Sequence, residues 1–260
     1  MDNNEKTSEK ITKWLLVGIS VLFLAVMLLL PLITVITEAL RSGWKVYAAA
    51  VTDEYTIKAL LLTVKATLFA VVFNTVFGVF AAWALTKFQF RGKKLLTTLI
   101  DLPVTISPVI AGLIFLLIFG RQSPVYFFLM KLGIKVVFSV PGIIIATVFV
   151  TFPFISRELI PVLEAEGWTI FWKITFPHIK WALLYGVVLC TARAMGEFGA
   201  VSVLSGHLRG KTNTLPLHVE ILFNEFQYVP AFAVSSLLVI MAVIILVVRS
   251  LIEYKGKKEA

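Results

Sequence analysis

Four stretches of this chain, 14–37, 66–86, 136–156 and 226–248, carry no charged side chain at all. Each matches the roughly 20 apolar residues that a helix needs to cross a hydrocarbon core. Two more stretches fit almost as well: 95–119 holds a single charge, Asp101, and 181–206 holds two, Arg193 and Glu197. Backbone N–H and C=O groups find no water in lipid, so a spanning segment must be a helix or part of a closed barrel. Barrel strands would show as short alternating segments, and none are visible. The sequence therefore predicts an all-α membrane protein with six transmembrane helices, the second starting near Ile57. Composition agrees, since 59% of residues are hydrophobic and 15% charged, against about 25% charged in soluble domains.

The net charge of +9 does not read as a nucleic-acid surface, because the basic residues mark the ends of the apolar runs instead of sharing one polar face. With both termini in the cytoplasm, 14 of the 24 basic residues fall in cytoplasmic segments and 8 in outer loops. That asymmetry predicts a multi-pass protein of the cytoplasmic membrane with both termini inside. The polar start, residues 1–13, precedes an apolar run without a small-residue cleavage site and reads as a tail before a retained helix. The organisation expected is a tail at 1–13, a first transmembrane helix with its outer loop at 14–56, a five-helix transmembrane domain at 57–250 with a cytoplasmic loop near 161–180, and a tail at 251–260. A short outer-surface helix is expected within 120–135.

Pro103, Pro108, Pro141 and Pro153 are expected to interrupt the third and fourth spans, because proline removes an intrahelical hydrogen bond. Such interruptions either line a pathway or are tolerated kinks. Arg193 and Glu197 stand four residues apart and share a helix face. Charge at that depth is costly and normally faces a partner or a water-filled cavity. The pair reads either as part of a pathway or its gate, or as an internal ion pair that holds helices together. Small residues around it, Gly196 and Gly199 among them, allow close helix packing. Asp101 either caps a helix segment at Pro103 or reaches the inner surface. Lys65 either snorkels or pairs with a neighbouring helix. Cys190, the lone cysteine, reads as an inert core residue. The loop after the fifth span holds Arg209 and Lys211, which either attract an anion or form a solvated contact surface.

No phosphate-cradling GxxxxGK[ST] occurs, so the chain is not itself a P-loop ATPase. His178, His207 and His218 are scattered without metal-ligand spacing. Neither Gly-x-Ser-x-Gly nor His-Glu-x-x-His is present, and no enzyme activity, cofactor or metal is expected.

The segments LIDLPVTISPVIAGLIFLLIFG at 99–120, VPGIIIATVFVTFPFISRELIPVLEAEG at 140–167 and IKWALLYGVVLCTARAMGEFGAVSVLSGHLRGKTNTLPLHVEIL at 179–222 resemble the W-type permease subunits of sulfate/thiosulfate ABC importers. The resemblance implies a type I ABC importer permease fold. It also implies a second, similar permease subunit, two ATPase subunits that bind ATP, and an extracytoplasmic sulfate-binding protein. The segment GHLRGKTNTLPLHVE favours the sulfate subunits over their molybdate and tungstate relatives, which remain the alternative. By the same resemblance the loop near 161–180 is the ATPase-docking loop. Trp168, Phe171, Ile174 and Pro177 match its trailing half, and Glu164 and Gly167 match the segment preceding the family's Glu-Ala-Ala helix. That helix is missing between them, a loss of roughly four turns of sequence. Either a shorter helix docks from Trp168 to Ile174, or the protein is a poorly coupled or transport-inactive paralogue, or the sequence is defective there.

Overall fold

The computed structural model describes residues 2–163 and 176–259. Among them the chain is helical, with no strand. The helices are α1 (Asp2–Leu40), α2 (Trp44–Val51), α3 (Glu54–Lys87), α4 (Lys93–Thr105), α5 (Pro108–Phe119), α6 (Pro124–Lys131), α7 (Val140–Leu163), α8 (Phe176–Met195), α9 (Gly199–Ser205), α10 (Leu215–Asn224) and α11 (Tyr228–Glu259). Four of these, α1, α3, α7 and α11, are long and apolar enough to cross a membrane unaided. The pairs α4–α5 and α8–α9 meet that test jointly and bend by 112° and 50°. Counting each bent pair as one span gives six, the number the apolar runs predict. The short helix expected in 120–135 is α6.

Two expectations about the interruptions change. Proline breaks the third span only ahead of Pro108. Ser107 is forced into an extended conformation (φ −56°, ψ 132°), because the ring of a following proline excludes the helical region. Pro108 then serves as the first residue of α5, where its missing N–H costs nothing. Pro103 stays inside α4, and Pro153 inside an unbroken α7. Pro141 occupies the first turn of α7, where no intrahelical donor is lost. The fifth span, expected to run continuously, breaks at 196–198 without any proline.

Asp53 starts α3, its carboxylate accepting from the N–H groups of Tyr55 and Thr56, which satisfies two of the four orphan donors of a helix start. One face of α3 is lined by small or polar buried residues, including Ala59, Thr63, Ala66, Ala70, Asn74, Gly78 and Ala82. Their spacing by three and four keeps them in register down a single stripe. Without bulky side chains there, α7 approaches closely. A Cβ on Gly78 would lie 3.1 Å from Ile155 Cγ2, and one on Gly186 of α8 3.2 Å from Ile155 Cα. Ile155 thus fills the seam where α3, α7 and α8 meet. Dispersion and small-residue contact supply this adhesion, since lipid offers no hydrophobic drive between helices.

A polar node crosses the same seam. The fully buried Asn74 amide donates to Thr151 Oγ1 (2.8 Å) and the Val148 carbonyl (3.2 Å), and sits 3.8 Å from Cys190 Sγ. One amide therefore links α3, α7 and α8, and Cys190 is a buried core residue. The outward faces are apolar and exposed, as with Leu22, Phe69, Phe80, Leu117 and Ile244, which suits contact with lipid.

Candidate functional site

The two interrupted spans meet at their interruptions. α9 begins at Gly199, directly against the start of α5: a Cβ on Gly199 would lie 3.0 Å from Pro108 Cβ and 3.3 Å from the Val109 nitrogen. One turn further along, a Cβ on Gly112 would lie 2.8 Å from the Ala200 carbonyl oxygen. Glycine at 112 and 199 is what lets the two half-helices touch backbone to backbone. Gly196 is different. A Cβ there would meet nothing closer than 3.8 Å, and the residue lines a crevice instead.

Arg193 and Glu197 sit at this junction. Arg193 occupies the last turn of α8, and Glu197 lies in the break. Their ion pair measures 2.5 Å between Nη1 and Oε2, with the glutamate side chain 1% exposed and the arginine 32%. The other carboxylate oxygen accepts the Ala200 N–H at 2.9 Å. Glu197 therefore holds the end of α8 with one oxygen and the start of α9 with the other. Flanking contacts satisfy two further backbone donors, with Glu197 N–H to the Ala194 carbonyl (3.2 Å) and Ser202 N–H to the Phe198 carbonyl (2.7 Å). Open backbone at membrane depth requires such internal partners. Gly196, with Val188, Leu189, Ala192 and Met195 of α8, faces α11 across an apolar crevice of about 440 Å³.

The segment after α9 forms a cap at the bundle end opposite the termini. Gly206 turns the chain in the left-handed region (φ +68°), which glycine adopts without steric cost. Thr212 Oγ1 donates to the Ser205 carbonyl (2.7 Å) and accepts the Leu208 N–H (3.1 Å). Thr63 of α3 accepts the Leu215 N–H at 2.7 Å, closing the start of α10. Thr56 Oγ1 lies 3.2 Å from His218 Nε2, both side chains buried. Burial, reinforced by the nearby Arg209 charge and opposed by Asp53 and Glu225, holds the His218 pKa below its ordinary 6.5. Arg209 is paired with Glu225, and His207 Nε2 lies 3.1 Å from Glu220, so the Arg209 charge is answered within the cap. Lys211 is exposed. Thr212, Asn213 and Thr214 are buried, so this part of the loop is not a solvated strip. A cavity of about 420 Å³ opens here, bounded in part by Asp53, Thr56, Arg209, His218 and Gln227.

At the end carrying the termini, Arg157 Nε donates to Asp101 Oδ1 at 2.8 Å. Asp101 is partly exposed at this end and is paired with Arg157 of α7, with no capping contact at Pro103 among the described residues. Lys65 is exposed and pairs with no described residue. Of the docking-loop residues, Glu164, Gly167, Trp168, Phe171 and Ile174 lie outside the described residues, and Pro177 falls in the first turn of α8. Sequence reasoning missed Asn74 and Gly112. The signal for Asn74 was present, because it is the only side-chain amide in the charge-free run 66–86. Gly112 carried none, since its meaning depends on the helix that packs over it.

Among the described residues, two interrupted spans meet at their breaks inside an all-helical bundle with helices long and apolar enough to cross a membrane. A crystal structure of a bacterial alginate ABC transporter, in complex with an alginate pentasaccharide-bound periplasmic protein, superposes on this fold with TM-score 0.78 at 14% identity, covering 99% of this chain and 98% of that one. No family model matches the chain. The chain belongs to the sulfate transport system permease family. It is 43% identical over 257 residues to the sulfate transport system permease protein CysW of Escherichia coli K12, covering 94% of this chain and 88% of that protein. Against CysT of the same organism it is 33% identical over 243 residues, covering 88% of each. As a member of this family it is a transport subunit of the inner membrane and not an enzyme.

Proposed function

We propose that this chain is the W-type half of the membrane channel of a sulfate importer, moving sulfate, and thiosulfate with it, by alternating access. The higher identity to CysW than to CysT, sustained over nearly the whole chain, carries the assignment. The same contrast supports pairing with a second, T-type permease subunit. Two ATPase subunits bind ATP below, and an extracytoplasmic sulfate-binding protein delivers the anion above. Both termini face the cytoplasm, in keeping with the basic residues gathered at that end. The first helix with its loop, 14–56, precedes the five-span transmembrane domain at 57–250, and 1–13 and 251–260 are cytoplasmic tails.

Within this reading the anion path passes the junction of the broken spans, with Arg193, Glu197, Gly196 and Gly199 beside it. The cap holding Arg209 and Lys211 receives the binding protein. The segment 161–180, with Glu164, Gly167, Trp168, Phe171, Ile174 and Pro177, docks the ATPase. Alternating access is then a two-state equilibrium biased by ATP from one side and by loaded binding protein from the other. The test is to purify the chain with its neighbours and add sulfate-loaded binding protein. Co-purification of an ATPase whose hydrolysis rises on that addition supports the reading. A chain that purifies without an ATPase, or whose ATPase ignores loaded binding protein, overturns it.

A further inference from the structure

The feature that the permease assignment leaves unexplained is a fully buried carboxylate inside a helix break. Breaking a span in lipid exposes donors that must be met internally, and Glu197 meets one of them through the Ala200 N–H. A serine or threonine at the helix start would meet it without bringing charge into the bilayer. The glutamate adds a second attachment that a hydroxyl cannot supply, the ion pair to Arg193 one turn back on α8. The side chain therefore bridges the break, with one oxygen on each side.

The angle at that break decides where α9 lies. α9 is packed on α5 through Gly112 and Gly199 at distances that leave no slack, so a change of angle at 196–198 must slide or separate the two half-helices. Packed elements of this kind switch between discrete arrangements and do not deform continuously. We propose that Glu197 is a positioning residue for transport. Its carboxylate fixes the bend of the fifth span and thereby holds the breaks of the third and fifth spans against each other in one of the permease's two arrangements. Arg193 acts with it as the counter-charge that makes the buried carboxylate tolerable.

The proposal rests on the transport reading, and the experiment has two arms so that the two can fail separately. The complete importer carries spin labels at Leu184→Cys and Leu208→Cys, which are exposed and flank the bend, with Cys190→Ser to remove the native thiol. Distance distributions are compared for Glu197, Glu197→Gln and Glu197→Ala. Sulfate uptake per assembled complex is measured in parallel on unlabelled protein across a range of loaded binding protein. The wild-type bend gives one narrow distribution. Glu197→Ala broadens it and shifts it to longer distances, and lowers maximal uptake on the order of tenfold or more, with the half-saturating concentration of binding protein unchanged. Glu197→Gln falls between, because its amide oxygen still accepts the Ala200 N–H while the charge that answers Arg193 is gone. An unchanged distribution in Glu197→Ala overturns the proposal, as does a changed distribution with unaltered uptake per complex. Should wild-type protein fail to move sulfate at all, the transport reading fails, and the label distances still decide whether Glu197 sets the bend.

Discussion

Single residues carry the costs that a membrane interior imposes. Glu197 is buried and answered by Arg193. Taking away one partner of a buried pair leaves an uncompensated charge, a loss of about 3–5 kcal/mol, whereas replacing both with apolar residues is often close to neutral. Arg193→Leu is therefore expected to lower the melting temperature and yield of the purified complex more than Arg193→Leu with Glu197→Leu. Equal melting temperatures for the single and double variants would place both side chains in water. His218 gives a pH dependence of known sign. Its folded pKa lies below the unfolded value of 6.5, so it contributes stability that is present above that pH and is lost as pH falls through the folded pKa, because the unfolded chain takes up the proton first. The slope is at most about 1.4 kcal/mol per pH unit for one proton. Melting curves between pH 8 and pH 5 should fall more steeply for the wild type than for His218→Asn, and parallel curves would remove His218 as the cause. The spacing of Arg193 and Glu197 made their pairing legible in the sequence. The partner of Asp101 was not, because Arg157 is brought to it only by the packing of α4 on α7.

At the scale of elements, the apolar runs located the spans well, because length and hydropathy largely decide which segments can sit in lipid. The two breaks were unequally visible. Ser107–Pro108 announces itself through the proline ring, while Gly196–Glu197–Phe198–Gly199 has no such marker. There the glycines weaken the helix, and the side chain of Glu197 supplies the backbone partner that a continuing helix would have given. The identification of a packing role for Gly112 needed the structure. Gly112→Ala brings a Cβ to 2.8 Å from the Ala200 carbonyl oxygen, an overlap that backbone must relieve. Overpacking of that kind costs about 1–3 kcal/mol. The expected outcome is reduced sulfate uptake by Gly112→Ala with assembly retained, while Gly18→Ala on α1, where a Cβ meets nothing within 4 Å, transports normally. Equal uptake by the two variants would mean that α5 and α9 have room to part.

For the molecule as a whole, the sequence resemblance supplied what no single contact could, the class of machine and its anion, and the relatives' identity then placed the chain in the sulfate permease family. The docking segment stays an inference from sequence, since most of it lies outside the described residues. Docking a helix in a groove depends on apolar anchors along one face, and the segment 168–174 offers fewer than a full docking helix would. Inserting a Glu-Ala-Ala-containing helix between Gly167 and Trp168 should raise ATP-driven uptake. Uptake by the unmodified chain at the rate of a full-length relative would show that the missing turns are dispensable. The most direct test of the central claim is anion uptake by the complete importer in sealed vesicles. ATP-dependent accumulation of sulfate, competed by thiosulfate and not by molybdate, is the expected result. Accumulation of molybdate in preference to sulfate, or no ATP-dependent uptake by a fully assembled complex, would contradict it.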